Sequence, residues 1–125
     1  MNGPDLELEL PYPPSVNHYR NRYGRRTPQG KTYLNRCVAA LWEFRAMCCA
    51  DLFWFDQGRL ELEVDHWWPA RRTEPDVDNG NKVLLDTLQA MGLISNDRQI
   101  WRLVNVKRGP DTPGKVRIRL RPYVT

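Results

Sequence analysis

The chain lacks the features of a membrane or an exported protein. No apolar run in its 125 residues approaches the roughly 18 residues that a membrane-spanning helix requires. The first ten residues carry three acids and no basic residue, whereas an export signal begins with basic residues and continues with an apolar segment. We therefore expect a cytoplasmic protein with no membrane partner.

Cysteine is also scarce, and its spacing argues against metal or redox chemistry. The three cysteines are Cys37, Cys48 and Cys49, and no two of them form the CxxC pair typical of zinc and redox sites. A disulfide between the neighbours Cys48 and Cys49 would be strained. We expect reduced thiols packed within a helix.

The length and composition are those of one small globular domain. Hydrophobic residues make up 41% of the chain and charged residues 27%, which is ordinary for such a domain. A chain this short has no room for a separate cofactor domain. We therefore expect one domain over 1–125 and no small-molecule cofactor.

Hydrophobic periodicity predicts the order β-α-β-α-β-β. Alternating segments indicate strands, and apolar residues spaced by three or four positions indicate helices. Asp78 or Asn79 is expected to cap the second helix, and Gly92 to end it. The last two strands are expected to pair with each other. The fold class is α/β in the broad sense, an α+β mixed sheet covered by two helices. The predicted strands are 6–10, 60–66, 100–106 and 116–120, and the predicted helices are 32–55 and 78–91.

Basic residues flank a more acidic centre. Six basic residues and no acid lie between positions 18 and 36, and eight basic residues against one acid follow position 97. This distribution suits a protein that binds a polyanion such as nucleic acid. Ordinary solvated surface charge remains an alternative explanation.

The densest group of chemically useful side chains lies around Asp76 and Asp78. In an extended segment, residues two apart point the same way, and Lys82 would lie one helical turn beyond Asp78. Two carboxylates about 5 Å apart repel by about 3 kcal/mol at an effective dielectric constant near 20. A cation relieves that repulsion, and carboxylates with water are what Mg²⁺ prefers. A helix cap with an ordinary salt bridge is the structural alternative.

Several motifs together resemble the RusA family of Holliday-junction resolvases, which occur in bacteria and often on phages and prophages. The resemblance covers nearly the whole chain, and its specificity comes from the combination of motifs at these spacings. The motifs are Pro13-Pro14-Ser15-Val16-Asn17, Arg71-Arg72, Asp76-Val77-Asp78-Asn79, Lys82, Asp86, Leu88, Gly92 and Asn96-Asp97.

The resemblance implies a homodimeric endodeoxyribonuclease that resolves four-way DNA junctions by paired symmetric nicks, in recombination and repair. It implies that Asp76, Asp78 and Asp97 bind catalytic Mg²⁺, with Mn²⁺ as an alternative, and that Lys82 is the catalytic lysine. Asn79 and Asp86 would have supporting roles. DNA phosphates are expected to contact Arg20, Arg22, Arg25, Arg26, Arg71 and Arg72.

Other functions remain open at this point. One is a non-catalytic protein that binds branched DNA, and another is a nuclease for flaps or forks. An RNA-binding domain is disfavoured because the aromatic strand pattern typical of such domains is missing.

Some aromatic residues and both histidines have alternative roles. We expect His66 and Trp68 in the core, and Trp67 at a dimer surface or against DNA. His18 lies in the basic loop, where it is placed to contact phosphate. The core or an interface is expected for Trp42, Trp54 and Trp101.

Overall fold

A computed structural model describes residues 6–48 and 58–124 of the protein. The expected α+β class with a mixed sheet is confirmed, whereas the short helix α1 was not predicted. None of the described helices is both long and apolar enough to cross a membrane. The elements are β1 (Leu6–Pro11), α1 (Val16–Tyr19), α2 (Pro28–Cys48), β2 (Leu60–Pro69), α3 (Asn81–Ala90), a 3-10 turn (Asp97–Gln99), β3 (Ile100–Asp111) and β4 (Lys115–Pro122).

The four strands form one sheet in the order β1-β4-β2-β3. β4 is antiparallel to both β1 and β2, while β2 and β3 are parallel. Parallel strands need a crossover connection, and α3 provides it. In such a unit the helix runs antiparallel to both strands, so α3 begins near the end of β2 and finishes near the start of β3.

The predicted pairing of the last two strands with each other is wrong. β2 lies between them, and β4 pairs with β2 from Leu60↔Pro122 to Trp67↔Lys115. The connection after Asp111 passes the end of β2, because a Cβ on Gly114 would lie 2.9 Å from Pro69. The short turn between β3 and β4 suggests a hairpin. The apolar residues of β2 are buried more completely, however, when β2 is an inner strand with a neighbour on each side.

One face of the sheet packs against the helices and forms the core. Alternate residues of β1, β2 and β4 point to this face and are buried along most of each strand. His66 is among them, with its Nε2 atom 2.8 Å from Asn105 Oδ1, so its expected core position is confirmed. The helices add Tyr33, Cys37 and Leu41 from α2 and Val83, Leu84 and Leu88 from α3.

The opposite face of the sheet carries paired charges. Arg117 donates to Glu9 at 3.0 Å, and Arg121 donates to both Glu61 and Glu63. The hydrogen bond from Arg121 lowers the pKa of Glu61, and the bond from Arg117 lowers the pKa of Glu9. Much of the basic charge near the end of the chain is therefore neutralised within the sheet.

Helix α2 begins four residues earlier than expected. Helical spacing predicts a buried stripe through Leu34 and Val38, whereas the buried positions include Tyr33 and Cys37. Cys37 is fully buried and free, and burial raises the pKa of its thiol to about 11, which agrees with a reduced structural cysteine. Trp42 is 60% exposed, and Trp101 of β3 is 58% exposed, so neither belongs to the core. The predicted end of this helix at Phe55, the Cys48 side chain, Cys49 and Trp54 lie outside the described residues.

Candidate active site

The motif with Asp76 and Asp78 forms a tight turn before α3. The backbone N–H of Asn79 donates to the Asp76 carbonyl at 3.0 Å, and that of Asn81 donates to the Asp78 carbonyl at 3.2 Å. Both aspartates are exposed. The segment is therefore not extended, and the helix starts at Asn81 rather than at Asp78 or Asn79.

Gly80 is the residue that closes this turn, and no side chain caps the helix. Its φ of +85° is in the left-handed region that favours glycine. A Cβ at this position would lie 2.6 Å from Pro13 Cγ. Pro13, the first residue of the Pro-Pro-Ser motif, thus packs directly against the turn, which gives it a structural role.

Lys82, Asp86 and Asp97 line one depression of about 120 Å³ along α3. The backbone N–H of Asp97 donates to Gln89 Oε1 at 3.2 Å, so Asp97 lies beside the last turn of the helix. Asp78 precedes the first turn, and no ion pair joins it to Lys82 among the described residues. The predicted pairing of these two on one helix face is wrong because Asp78 is not helical.

The three candidate metal ligands are not gathered in a single chain. Asp97 and Lys82 share the depression along α3, and neither Asp76 nor Asp78 is among its lining residues. Within 6–48 and 58–124, no three acidic, histidine or cysteine side chains form a group that could hold a metal ion. The carboxylate chemistry suits Mg²⁺, but the arrangement in one chain does not complete the ligand set.

The segment after α1 is an ordered turn attached to α3. Arg20 donates from Nη2 to Asp86 Oδ2 at 2.7 Å and from Nη1 to the Gly24 carbonyl. Arg26 donates to the Tyr19 hydroxyl at 3.1 Å. Arg20 and Arg26, expected to bind DNA, are thus engaged within the protein. Asp86 pairs with a residue of the basic segment, and its supporting role stays a prediction.

Four of the six candidate DNA-binding arginines remain exposed. Among the described residues, the Arg22 side chain bonds to its neighbour Tyr23, with the guanidinium 4.9 Å from the ring centroid. Arg25, Arg71 and Arg72 have no side-chain partner among the described residues. Arg71 and Arg72 come directly after β2, at the same end of the sheet as the turn that carries Asp76 and Asp78. These cations are free to contact phosphate near the candidate site.

Sequence patterns did not indicate two polar features at the start of α3. Asn79 donates from Nδ2 to the Tyr12 hydroxyl at 3.0 Å, which adds a contact with the segment after β1. Asn81 Oδ1 is buried without a hydrogen-bond partner, the one such side-chain atom found among the described residues. A lone tyrosine before Pro-Pro and an asparagine inside a helix give no periodic signal, so only the contacts reveal them.

Trp67 and Trp68 lie at the end of β2 and differ in their surroundings. Trp67 is close to Lys115 and Arg117, at 4.9 and 5.2 Å from its ring centroid. Trp68 is only half-buried, so its expected core position is wrong. His18 is exposed, and its Nδ1 atom is 2.9 Å from Ser15 Oγ.

Comparison with known proteins gives a consistent result over almost the whole chain. Residues 11–121 match the family model described as "Endodeoxyribonuclease RusA". The chain is 29% identical over 122 residues to "Crossover junction endodeoxyribonuclease RusA" of Aquifex aeolicus (strain VF5), covering 95% of this chain and 93% of that protein. It is 31% identical over 113 residues to "Crossover junction endodeoxyribonuclease rusA" of Enterobacteria phage HK97, covering 88% of each. The protein therefore belongs to the RusA endodeoxyribonuclease family.

Proposed function

We propose that this protein resolves four-way DNA junctions by paired symmetric nicks, as a Mg²⁺-dependent homodimer. The observation that carries the proposal is the family match over residues 11–121, which includes the turn with Asp76 and Asp78, Lys82 and Asp97. Both relatives are named as crossover junction endodeoxyribonucleases. A dimer suits such a substrate, because two identical active sites face a junction of nearly two-fold symmetry.

In this proposal Asp76, Asp78 and Asp97 hold Mg²⁺, with Mn²⁺ as an alternative ion. When bound, the metal ion lowers the pKa of a water molecule and neutralises charge that develops on the phosphate. The role of Lys82 is to supply a fixed positive charge for the same transition state. Its position in the first turn of α3, next to the two exposed aspartates, supports that role.

The described part of one chain does not gather a complete ligand set, which suggests where that set forms. We propose that it forms between two chains, with Asp76 and Asp78 from one and Asp97 from its partner. The support is that the described part of one chain gathers no three side chains able to hold a metal ion, and a two-fold dimer brings a second copy of each aspartate. The dimer would then be required for cleavage as well as for symmetry.

Mixing two inactive variants tests this arrangement. In a heterodimer of the Asp76→Asn and Asp97→Asn chains, a shared site regains one intact set of three carboxylates. Co-refolded chains should therefore nick one strand of a junction, although each variant alone is inactive. If each site uses one chain only, both sites of the heterodimer lack a carboxylate, and the mixture should be as inactive as its components.

DNA phosphates are proposed to contact Arg22, Arg25, Arg71 and Arg72, which are exposed cations. The ion-paired face of the sheet is not part of this surface, because its arginines already have carboxylate partners. Backbone contacts of this kind carry little sequence information, which suits recognition of a branched shape.

The decisive experiment uses a synthetic immobile four-way junction, the matching linear duplex, a flap and a replication fork. Each is incubated with the purified protein and Mg²⁺ or EDTA, and the products are mapped at nucleotide resolution. We expect symmetric paired nicks near the branch point, with Mg²⁺ only and on the junction above all. Faster cutting of flaps or forks would replace the proposed substrate, and junction binding without nicks would indicate a non-catalytic protein.

A further inference from the structure

A polar groove lies next to the turn that carries Asp76 and Asp78. It has a volume of about 420 Å³ and runs between the segment after β1, the start of α2 and the end of β2. A second depression of about 200 Å³ continues it, and the two share Tyr12, Gln29 and Arg72. The groove is thus an extended feature that reaches the candidate active site at Pro75 and Asn79.

The groove is lined by hydrogen-bonding groups that have spare capacity. The Gln29 amide, the Arg72 guanidinium and the Trp68 indole N–H have no hydrogen-bond partner in the described part of the chain. His18 uses Nδ1 toward Ser15, so its Nε2 atom is free. Asn79 donates to Tyr12 through Nδ2, so its amide oxygen can still accept. These groups can bond to a polar ligand in place of water.

The lining also has a distinctive charge and shape. It contains two aromatic side chains, Tyr12 and Trp68, together with one cation, Arg72, and no carboxylate. The Lys107 ammonium lies 5.5 Å from the centroid of the Trp68 ring and is paired with Glu74 at 3.0 Å, so Arg72 is the cation that the groove offers to a ligand. The site therefore favours an anion that also carries a flat ring with hydrogen-bonding edges.

We propose that this groove binds one unstacked nucleotide of the strand that is cut, next to the scissile phosphate. The position next to the cut rests on the proposed junction cleavage, whereas the binding of a nucleotide in the groove does not. Trp68 offers a stacking surface, as aromatic side chains do in single-strand binding proteins. The amides of Gln29 and Asn79 suit the donor and acceptor edge of a base. Arg72 contacts the phosphate of the same nucleotide.

A nucleotide explains this lining better than a phosphate alone. A phosphate site needs several cations or backbone N–H groups, and the 420 Å³ part of the groove, next to Asn79, has one guanidinium. A bare phosphate could not stack on the aromatic side chains and would leave the amide groups without a base edge to bond, whereas a base makes both kinds of contact. The nucleotide beside the cut is also the one whose identity would set any preference for where the enzyme nicks.

The first test measures binding without cleavage. Single-stranded DNA trinucleotides of each base are titrated into the intact protein in EDTA, with the side-chain N–H signals followed by two-dimensional NMR. We expect saturable shifts of the Trp68 indole and of the Gln29 and Asn79 amides. Trp68→Ala should weaken binding about tenfold, the usual effect of losing a stacking partner, while Trp42→Ala should not change it. Shifts elsewhere in the protein, or none at all, would overturn the proposal.

The second test uses the junction itself. After the nicks are mapped, the nucleotide on either side of each cut site is replaced by an abasic residue. Wild-type protein and the Asn35→Ala control should each cut the abasic junction about tenfold more slowly than the intact one. Gln29→Ala, an exposed change that leaves the core intact, should show a smaller difference. Equal rates on both junctions, or the same loss in all variants, would contradict the assignment.

The two tests separate this inference from the proposed function. If the protein binds trinucleotides in the groove but never nicks a junction, the proposed cleavage is disproved and the nucleotide site still stands. If the protein nicks junctions and neither the abasic change nor the groove variants alter the rate, the proposed function stands and the nucleotide site is disproved.

Discussion

The guanidinium of Arg20 lies 2.7 Å from the carboxylate of Asp86, and this ion pair joins the basic segment after α1 to the helix that carries Lys82. Both side chains are about one-third exposed, at 32% and 33%. The Arg20 side chain therefore attaches the segment to α3. The pair also accounts for the aspartate at position 86, which lies too far along the helix to join Asp78.

Breaking this ion pair should modestly lower the free energy of unfolding, and the effects of changing Arg20 and Asp86 should not be additive. For the variants Arg20→Ala, Asp86→Ala and the double variant, urea unfolding should give a coupling energy of about 1 kcal/mol, as for partly exposed pairs. Arg25→Ala is the matched control, because Arg25 has no acidic partner among the described residues. A coupling energy near zero would mean that the ion pair does not hold the segment on α3.

Asp76→Asn should abolish cleavage while leaving junction binding intact. The change removes one proposed metal ligand and one negative charge, and binding to DNA does not require either. We expect a loss of at least about a hundredfold in nicking rate, comparable with the loss of an electrostatic catalytic group, and an unchanged or tighter band shift. Glu74→Gln, in the preceding loop, should cleave normally. Cleavage retained in Asp76→Asn would remove that residue from the mechanism.

The salt dependence of junction binding should identify which arginines bind phosphate. Removing an arginine that neutralises one phosphate makes the slope of log K against log salt concentration shallower by about 0.9 on duplex DNA. We expect this decrease for Arg25→Ala and for Arg72→Ala. Arg119→Ala should keep the wild-type slope, because Arg119 is paired with Glu7 and Glu63 on the sheet face. The opposite pattern would locate the DNA on that face instead.

Gly80→Ala should destabilise the turn that carries the two aspartates. A left-handed backbone costs a non-glycine residue about 1–2 kcal/mol, and the new Cβ would also clash with Pro13. Gly92→Ala separates the two effects, since Gly92 has a φ of +80° with open space around its Cβ position. Thermal unfolding should show the larger loss for Gly80→Ala, with slower nicking as well. Equal losses would mean that the packing against Pro13 is unimportant.

Stability should fall in acid because of the sheet-face ion pairs. The pKa values of Glu9 and Glu61 are lowered in the folded protein from the ordinary value of 4.5. The folded state then binds fewer protons than the unfolded state, so this stabilisation is present above about pH 4.5 and is lost as the pH drops below it. Urea unfolding from pH 6 to pH 3 should show the decline.

Removing these carboxylates should flatten that pH profile. The double variant Glu9→Gln and Glu61→Gln lacks the groups whose pKa values are lowered, so it should lose less stability between pH 6 and pH 3. Glu43→Gln, at an exposed position of α2, is the control and should follow the wild-type curve. A double variant with the wild-type profile would assign the acid sensitivity to other groups.

Local periodicity was a sound guide to the faces of the strands. The alternation of Leu60, Leu62 and Val64 with acids predicted which side of β2 is buried, and the structure agrees. Periodicity failed for α2, where Tyr33, Cys37 and Leu41 form the buried stripe, because Leu34 and Val38 fit the helical period equally well. The packing partner decides between two such neighbouring stripes, and periodicity carries no information about that partner.

The sequence by itself determined the family, the faces of the strands and the positions of the motifs, because these depend on residue identity and short spacings. Only the tertiary structure decided that β4 crosses to the far side of β2, that Arg20 meets Asp86, and that Asp97 shares a depression with Lys82. Each of these relationships joins residues far apart in the chain. Such relationships depend on how strands and helices pack together, and no local pattern of residues specifies that packing.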